Sequence, residues 1–293
     1  MSRYVVIPRI RVQNANMQSN GFLLGGAPLM AASMFAHHLA RQLGTQDQGL
    51  VYIHHDMQRL GGQAYGRFTP AQRRGAVFIG KKDYSSKNKH ALSLQPTASC
   101  HLELSLVLRF ATSRINVEKL KAILKRSRFA GGQIIEHAEI STYSDQDFEK
   151  ALTEVKTGFV LLDRQNLLIE YQQRQQLNRI QAFTQLLALK SDPLRTFFND
   201  ESLSWLSATN LGYALLETPT DQRSGIRQAQ DQDSTKHAYA EPLTGLVQYF
   251  SLGEILRQHG TADDQHWQDL HCLLWTYQWL QEDVFILQQQ TKI

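Results

Sequence analysis

The stretch CHLELSLVLRF (100–110) places Leu102, Leu104, Leu106 and Leu108 at every second position, with mostly polar residues between them. Residues two apart share one face of a strand but fall on nearly opposite sides of a helix, so the pattern demands a sheet packed against a core. A chain carrying it must supply partner strands and a layer to cover the leucines.

The flanking sequence supplies both. YVVIPRIRV (4–12) is β-branched and apolar, and reads as a first strand, with Pro8 at an edge or a bulge. PLMAASMFAHHLARQLG (28–44) reads as a helix: Pro28 starts it, Leu29, Met30, Met34, Phe35 and Leu39 recur at helical spacing, and Gly44 stops it. GLVYIHHDM (49–57) is a second strand and 100–110 the third. NVEKLKAILKRSRFAGG (116–132) predicts a second helix, capped by Asn116, with Val117, Leu120, Ile123 and Leu124 on one face and a glycine pair at its end. GQIIEHAEIS (132–141) completes a β-α-β, β-α-β order, which predicts an α+β domain of ferredoxin-like or RRM-like plan over residues 1–145.

Residues 58–99 are too long for a plain connection between the second and third strands, so they are expected to be functional. They read as a β-hairpin arm with the basic tip KKDYSSKNK. Residues 146–293 read as a mixed, largely helical, partner-binding extension. In it GFVLLDR is a short strand, a long Gln- and Leu-rich helix follows, a polar loop spans 217–242, and a last helical region is rich in Trp and Tyr.

Charge divides the chain. Residues 1–129 hold 19 Lys/Arg against 5 Asp/Glu, whereas residues 130–293 hold 12 against 22. A basic half of this strength suits a polyanion, either nucleic acid or an anionic surface, and the acidic half suits a protein partner or repels non-specific nucleic acid. No apolar run reaches the length of a membrane span, and no signal-peptide pattern opens the sequence, so a cytoplasmic location is expected and a membrane partner is not. Cys100 and Cys272 show no metal-ligand spacing and read as reduced core residues, and no metal or other cofactor is expected.

Candidate contacts lie in the basic half. Lys81, Lys82, Lys87 and Lys89 surround Tyr84, pairing phosphate-seeking ammonium groups with a ring on which a base can stack; a solvated loop is the plainer alternative. KRSRFAGG (125–132) sets Arg126 and Arg128 before Gly131 and Gly132, where backbone amides can approach phosphate, although the pair can equally be a helix stop. Arg9 and Arg11 precede Gln13, Asn14 and Asn16, whose amides can bind base edges or close an Asx turn. His54 or His101, with a nearby Lys or Tyr84, could serve a metal-independent endoribonuclease, the main alternative to a non-catalytic RNA binder; a pure protein scaffold is a third. The late histidines His259, His266 and His271 lie among Trp267, Trp275 and Trp279 and read as core or interface.

The ordered blocks IPRIRVQNAN, HLELSLVL, RFAGG, GFVLLDR, NLGYALL and EPLTGLVQYFSLGEIL resemble the second Csy protein family, the Cas-five-type subunit of type I-F CRISPR surveillance complexes. The resemblance implies a repeat-associated (RAMP) RRM-like domain with a thumb-like hairpin. It implies a protein that caps the 5′ handle of the crRNA and contacts the large subunit and the first Cas-seven-type backbone subunit, with guide processing left to another subunit. By motif, it sets Gln13, Asn14 and Asn16 beside the handle, Gly131 and Gly132 in a glycine loop, and Arg223 and Arg227 in the late polar loop. Contact with target DNA near the PAM stays open. The chain departs from members that carry a sizeable insertion after the glycine pair, and its late loop is richer in Gln and Asp.

Overall fold

Leu104, Leu106 and Leu108 are fully buried inside a twelve-stranded sheet. The computed structural model describes residues 2–21, 23–25, 27–71, 73–74, 94–95, 98–220, 236, 238–261 and 267–289. The first half runs β1 (Arg3–Asn16), β2 (Gln18–Asn20), β3 (Leu23–Leu24), α1 (Leu29–Leu43), β4 (Asp47–Ala64), β5 (Arg67–Pro70), β6 (Arg73–Arg74), β7 (Leu94–Gln95), β8 (Ser99–Phe110), α2 (Val117–Leu124), β9 (Arg128–Phe129), β10 (Gly132–Glu136) and β11 (Ser141–Ser144). The second half runs α3 (Phe148–Val155), β12 (Phe159–Asp163), α4 (Gln165–Gln175), α5 (Arg179–Ala188), α6 (Ser191–Phe198), β13 (Leu206–Leu215), β14 (Ala240–Ser251), α7 (Leu252–Gln258), β15 (Trp275–Gln281) and β16 (Val284–Gln289).

The first half lays its strands in the order β4-β8-β1-β10, all antiparallel. One face of this sheet, with Val5, Ile7, Val12, Tyr52 and the β8 leucines, packs against Leu29, Phe35 and Leu39 of α1 and Leu120 and Leu124 of α2. The opposite face is covered at one end only. There Tyr4, Val6, Val51, Ile53 and Val107 meet Phe148, Leu152 and Val155 of α3 and Leu252 and Ile255 of α7. Farther along, the odd-numbered residues of β8 change from Val107 to Ser105, Glu103 and His101, and the face opens to solvent.

Pro8 is accommodated by a bulge: Ile7 pairs with Leu106 but Ile10 with Leu104, so β1 spends one extra residue, and Arg9 takes the left-handed conformation at φ 52°. The bulge also divides the far edge of β1. β11 pairs with Arg3–Val6 and β10 with Arg11–Gln13, while the Ala138 N–H donates to the Pro8 carbonyl (2.9 Å) between them. The expected fourth strand is therefore two short ones.

The second half continues the same sheet. β12-β14-β13-β16-β15 pair in sequence, and both ends return to one edge of β4, where Trp275 pairs with Leu50 and Phe159 with His54. The pairings thus close a ring of six strands. Where β12 and β15 share that edge, side chains replace a ladder: Trp275 Nε1 and Gln289 Nε2 both donate to the Leu161 carbonyl (3.0 and 2.9 Å), and Gln289 Oε1 accepts from the Asp163 N–H (2.8 Å). A third core holds α4, α5 and α6 against β14 through Leu168, Tyr171, Leu186, Leu194 and Leu246.

Three sequence expectations are corrected. The Trp- and Tyr-rich end is not helical but the β15–β16 hairpin, in which Trp275, Tyr277 and Trp279 follow the period of two of a strand. The long Gln- and Leu-rich helix is two helices, α4 and α5, broken by Gln176 in the left-handed conformation and restarted by a capping box between Asn178 and Gln181. The helix expected over 116–132 stops at Leu124, leaving 125–132 for a turn and a hairpin. No helix among the described residues is long and apolar enough to cross a membrane.

Candidate nucleic-acid interface

The open part of the sheet is built around the second half of β1. Because Arg9 sits in the bulge, its N–H leaves the ladder and donates to Ser105 Oγ (2.9 Å). Its guanidinium donates to Glu103 Oε1 (2.9 Å) and Thr157 Oγ1 (2.8 Å). Arg11 donates to Glu103 Oε2 (3.1 Å) and forms a second pair with Glu136. Burial pushes the Glu103 carboxyl up, but the hydrogen bonds from Arg9 and Arg11 outweigh it and hold the group below the usual carboxylate range. Both arginines are thus ion-paired on the sheet while their side chains stay partly exposed.

Gln13, Asn14 and Asn16 have three different fates. Gln13 is exposed on the open face. Asn14 occupies a second bulge, between the Val12–Leu102 and Ala15–Cys100 pairs, at φ 60°, a conformation Asn tolerates better than most residues. Its N–H donates to His101 Nδ1 (3.4 Å). Asn16 closes an Asx turn, accepting from the Gln18 N–H (3.0 Å) and donating to the Gln18 carbonyl (3.2 Å), so its amide is spent on the backbone.

Against this strand exit lies the β9–β10 hairpin. Ala130 and Gly131 form its two-residue turn with φ 46° and 76°, as a type I′ turn requires. The Asn16 N–H donates to the Ala130 carbonyl (2.8 Å), and buried Phe129 packs edge-on to Phe35 of α1 (5.4 Å). A Cβ on Gly132 would stand 2.6 Å from the Ala15 nitrogen and 2.7 Å from the Gln13 oxygen. The glycine pair is thus neither a helix stop nor two open approaches: Gly131 turns the chain, and Gly132 lets two backbones touch. Arg126 and Arg128 are exposed beside them, Arg128 reaching the Gly131 carbonyl at 3.4 Å.

Beside Gln13 an open groove of about 370 Å³ runs across four strands, lined among others by Arg11, Gln58, His101, Glu103 and Ile135. Two carboxamides and an imidazole offer both donors and acceptors, and Ile135, 57% exposed, offers an apolar surface. Such a set can hold the edge and the face of an unstacked base. β4 then runs past the sheet and folds back as β5 through a Tyr65–Gly66 turn with φ 51° and 72°. Tyr65 is fully exposed there, Arg67 is exposed next to it, and Arg59 lies over the Phe68 ring at 5.2 Å. The sequence reading missed these three; the signal was a Tyr-Gly turn in a stretch, 58–74, with four arginines and no carboxylate.

A family model described as CRISPR-associated protein (Cas_Csy2) matches residues 5–286, from β1 into β16. The chain belongs to the Csy2 family. It is 22% identical over 301 residues to CRISPR-associated protein Csy2 of Pseudomonas aeruginosa (strain UCBPP-PA14), with 88% of each chain covered. Membership in the family supports a role in the type I-F CRISPR Csy complex, among other Csy subunits.

The remaining candidate residues divide between those the fold uses and those beyond view. Lys81, Lys82, Tyr84, Lys87 and Lys89 of the arm tip, with Arg223 and Arg227 of the late loop, lie outside the described residues. Of the histidines named for nuclease chemistry, His54 is largely buried against Tyr249 (5.3 Å), and burial lowers its pKa. Its neighbour His55 bonds Ser105 Oγ (2.6 Å) and is lowered to about 4, by burial first and then by the Arg9 charge. Only His101 of these three lines the groove. Among the described residues, no group of three or more His, Cys, Asp or Glu side chains is placed to hold a metal ion.

Proposed function

We propose that this Csy2-family chain is a non-catalytic crRNA-binding subunit that caps the 5′ handle of the guide and contacts the Cas-seven-type backbone and large subunits. The observation that carries the reading is the meeting of Gln13–Asn16 with the Arg128–Gly132 hairpin, beside a groove that holds two carboxamides and an imidazole and an arm root, 58–74, with four arginines and no carboxylate. In this reading Gln13, Gln58 and His101 select bases, while Arg59, Arg67, Arg126 and Arg128 take phosphates. Arg9 and Arg11 position β1 by gripping Glu103. The strand order β4-β8-β1-β10 with both helices on one face supports a ferredoxin-like RAMP domain over residues 1–145, in which the β4–β5 hairpin roots the thumb. Residues 146–293 are then the partner-binding extension.

Expression of the chain with its own CRISPR array provides the test. The expected result is a stoichiometric RNA of defined 5′ end that copurifies with the protein and stays intact during incubation in EDTA. A preparation without RNA contradicts the binding role. A defined cleavage product that disappears in His101→Ala contradicts the non-catalytic one.

A further inference from the structure

The acidic half carries a groove of its own, formed where β12, the start of β13, the end of β14 and α7 meet, with a volume of about 630 Å³. Its wall is Trp205, which is 63% exposed and lies flat on Phe159 at 5.2 Å and 20° between planes. A tryptophan in this position is costly twice over. It leaves a large ring in water, and its backbone takes φ 55°, a conformation bulky residues rarely adopt. The fold fixes that conformation: the Trp205 carbonyl accepts from the Tyr249 N–H (3.2 Å), and the β13–β14 ladder begins at the next residue.

Around the ring stand Asp200, Glu201 and Glu254, and no lysine, arginine or histidine lines the groove. Asp200 accepts from the Ser202 N–H (2.8 Å) and faces the field of buried Arg164; Glu254 pairs with Arg257 and accepts from Gln258 Nε2 (2.7 Å). Glu201 is exposed and makes no ion pair among the described residues. An exposed aromatic is also a platform for a nucleobase, but a strand bringing its phosphates beside three carboxylates would be repelled. A guanidinium meets both features at once, stacking on the indole and bonding a carboxylate in its plane.

We infer that this groove receives an arginine side chain of a partner protein, sandwiched over Trp205 and held by Glu201. The contact is separate from the RNA surface on the β1 face and stands whether or not that surface binds RNA.

The full chain labelled with 5-fluorotryptophan gives one ¹⁹F signal per tryptophan, and Trp205→Phe identifies the one that reports on the groove. Titration with N-acetyl-arginine amide should move the Trp205 signal saturably, while Trp279, exposed on the β15–β16 hairpin, stays still. Glu201→Gln should weaken the effect by roughly threefold, as for an exposed ion pair. N-acetyl-citrulline amide, which has the same shape without the charge, should have no effect. The inference is overturned if arginine leaves the Trp205 signal in place, if citrulline or Trp279 responds equally, or if single-stranded oligouridine moves the signal and arginine does not.

Discussion

Gly131 and Gly132 look alike in sequence and do different work. Gly131 needs its left-handed φ of 76° but has open space around it, so Gly131→Ala should cost about 1 kcal/mol of stability and leave RNA binding nearly intact. Gly132 has an ordinary conformation but no room, so Gly132→Ala must push the hairpin off β1, costing about 1–3 kcal/mol. It should also lower RNA affinity well beyond the Gly131 variant; denaturant titration and fluorescence anisotropy on the same preparations separate the two effects. Affinity falling equally in both variants would mean that the hairpin is a structural turn only. Arg9 and Arg11 show why a residue's role was not legible from its type. Glu103 and Glu136 lie 92 or more residues away, and a charge count cannot see that the fold pairs them.

Elements were legible in proportion to how locally they are determined. β8 announced itself because four leucines at a strict period of two admit one geometry, and α1 because Pro28 and Gly44 bracket a helical face. β15 carried the same alternation in Trp275, Tyr277 and Trp279, but Leu, Gln and Trp fit a helix equally well, and its strand character rests on pairing with β16 along Trp275–Gln281, with a bridge from Trp275 to Leu50 of β4 fixing its place in the sheet. The arm divides similarly: its basic tip is visible in sequence, whereas the β4–β5 hairpin at its root is set by pairing of Gly61–Ala64 with Arg67–Pro70. Arg59 and Arg67 on that root are cations with no ion pair among the described residues. Changing both to Ala should reduce the slope of log affinity against log salt by about 1.4 for single-stranded RNA, or about 0.7 for each phosphate released. An unchanged slope would place the strand elsewhere.

Over the whole molecule, one sheet carries two surfaces of opposite character. The open end of the first half gathers amides, exposed arginines and the glycine hairpin; the second half closes into a ring and presents an acidic aromatic groove. This division matches the charge asymmetry of the chain: a polyanion is the proposed occupant of the first groove and a cationic side chain of a partner protein that of the second. The binding of RNA is the central claim, and its specificity is the sharpest part. The direct measurement compares the affinity of the protein for a guide RNA beginning with its own repeat-derived 5′ segment and for the same RNA with that segment scrambled. The account predicts clear preference for the native end, lost when Gln13 and Gln58 are changed to Ala while affinity for the scrambled RNA is kept. Equal affinity of the unaltered protein for both RNAs would contradict it.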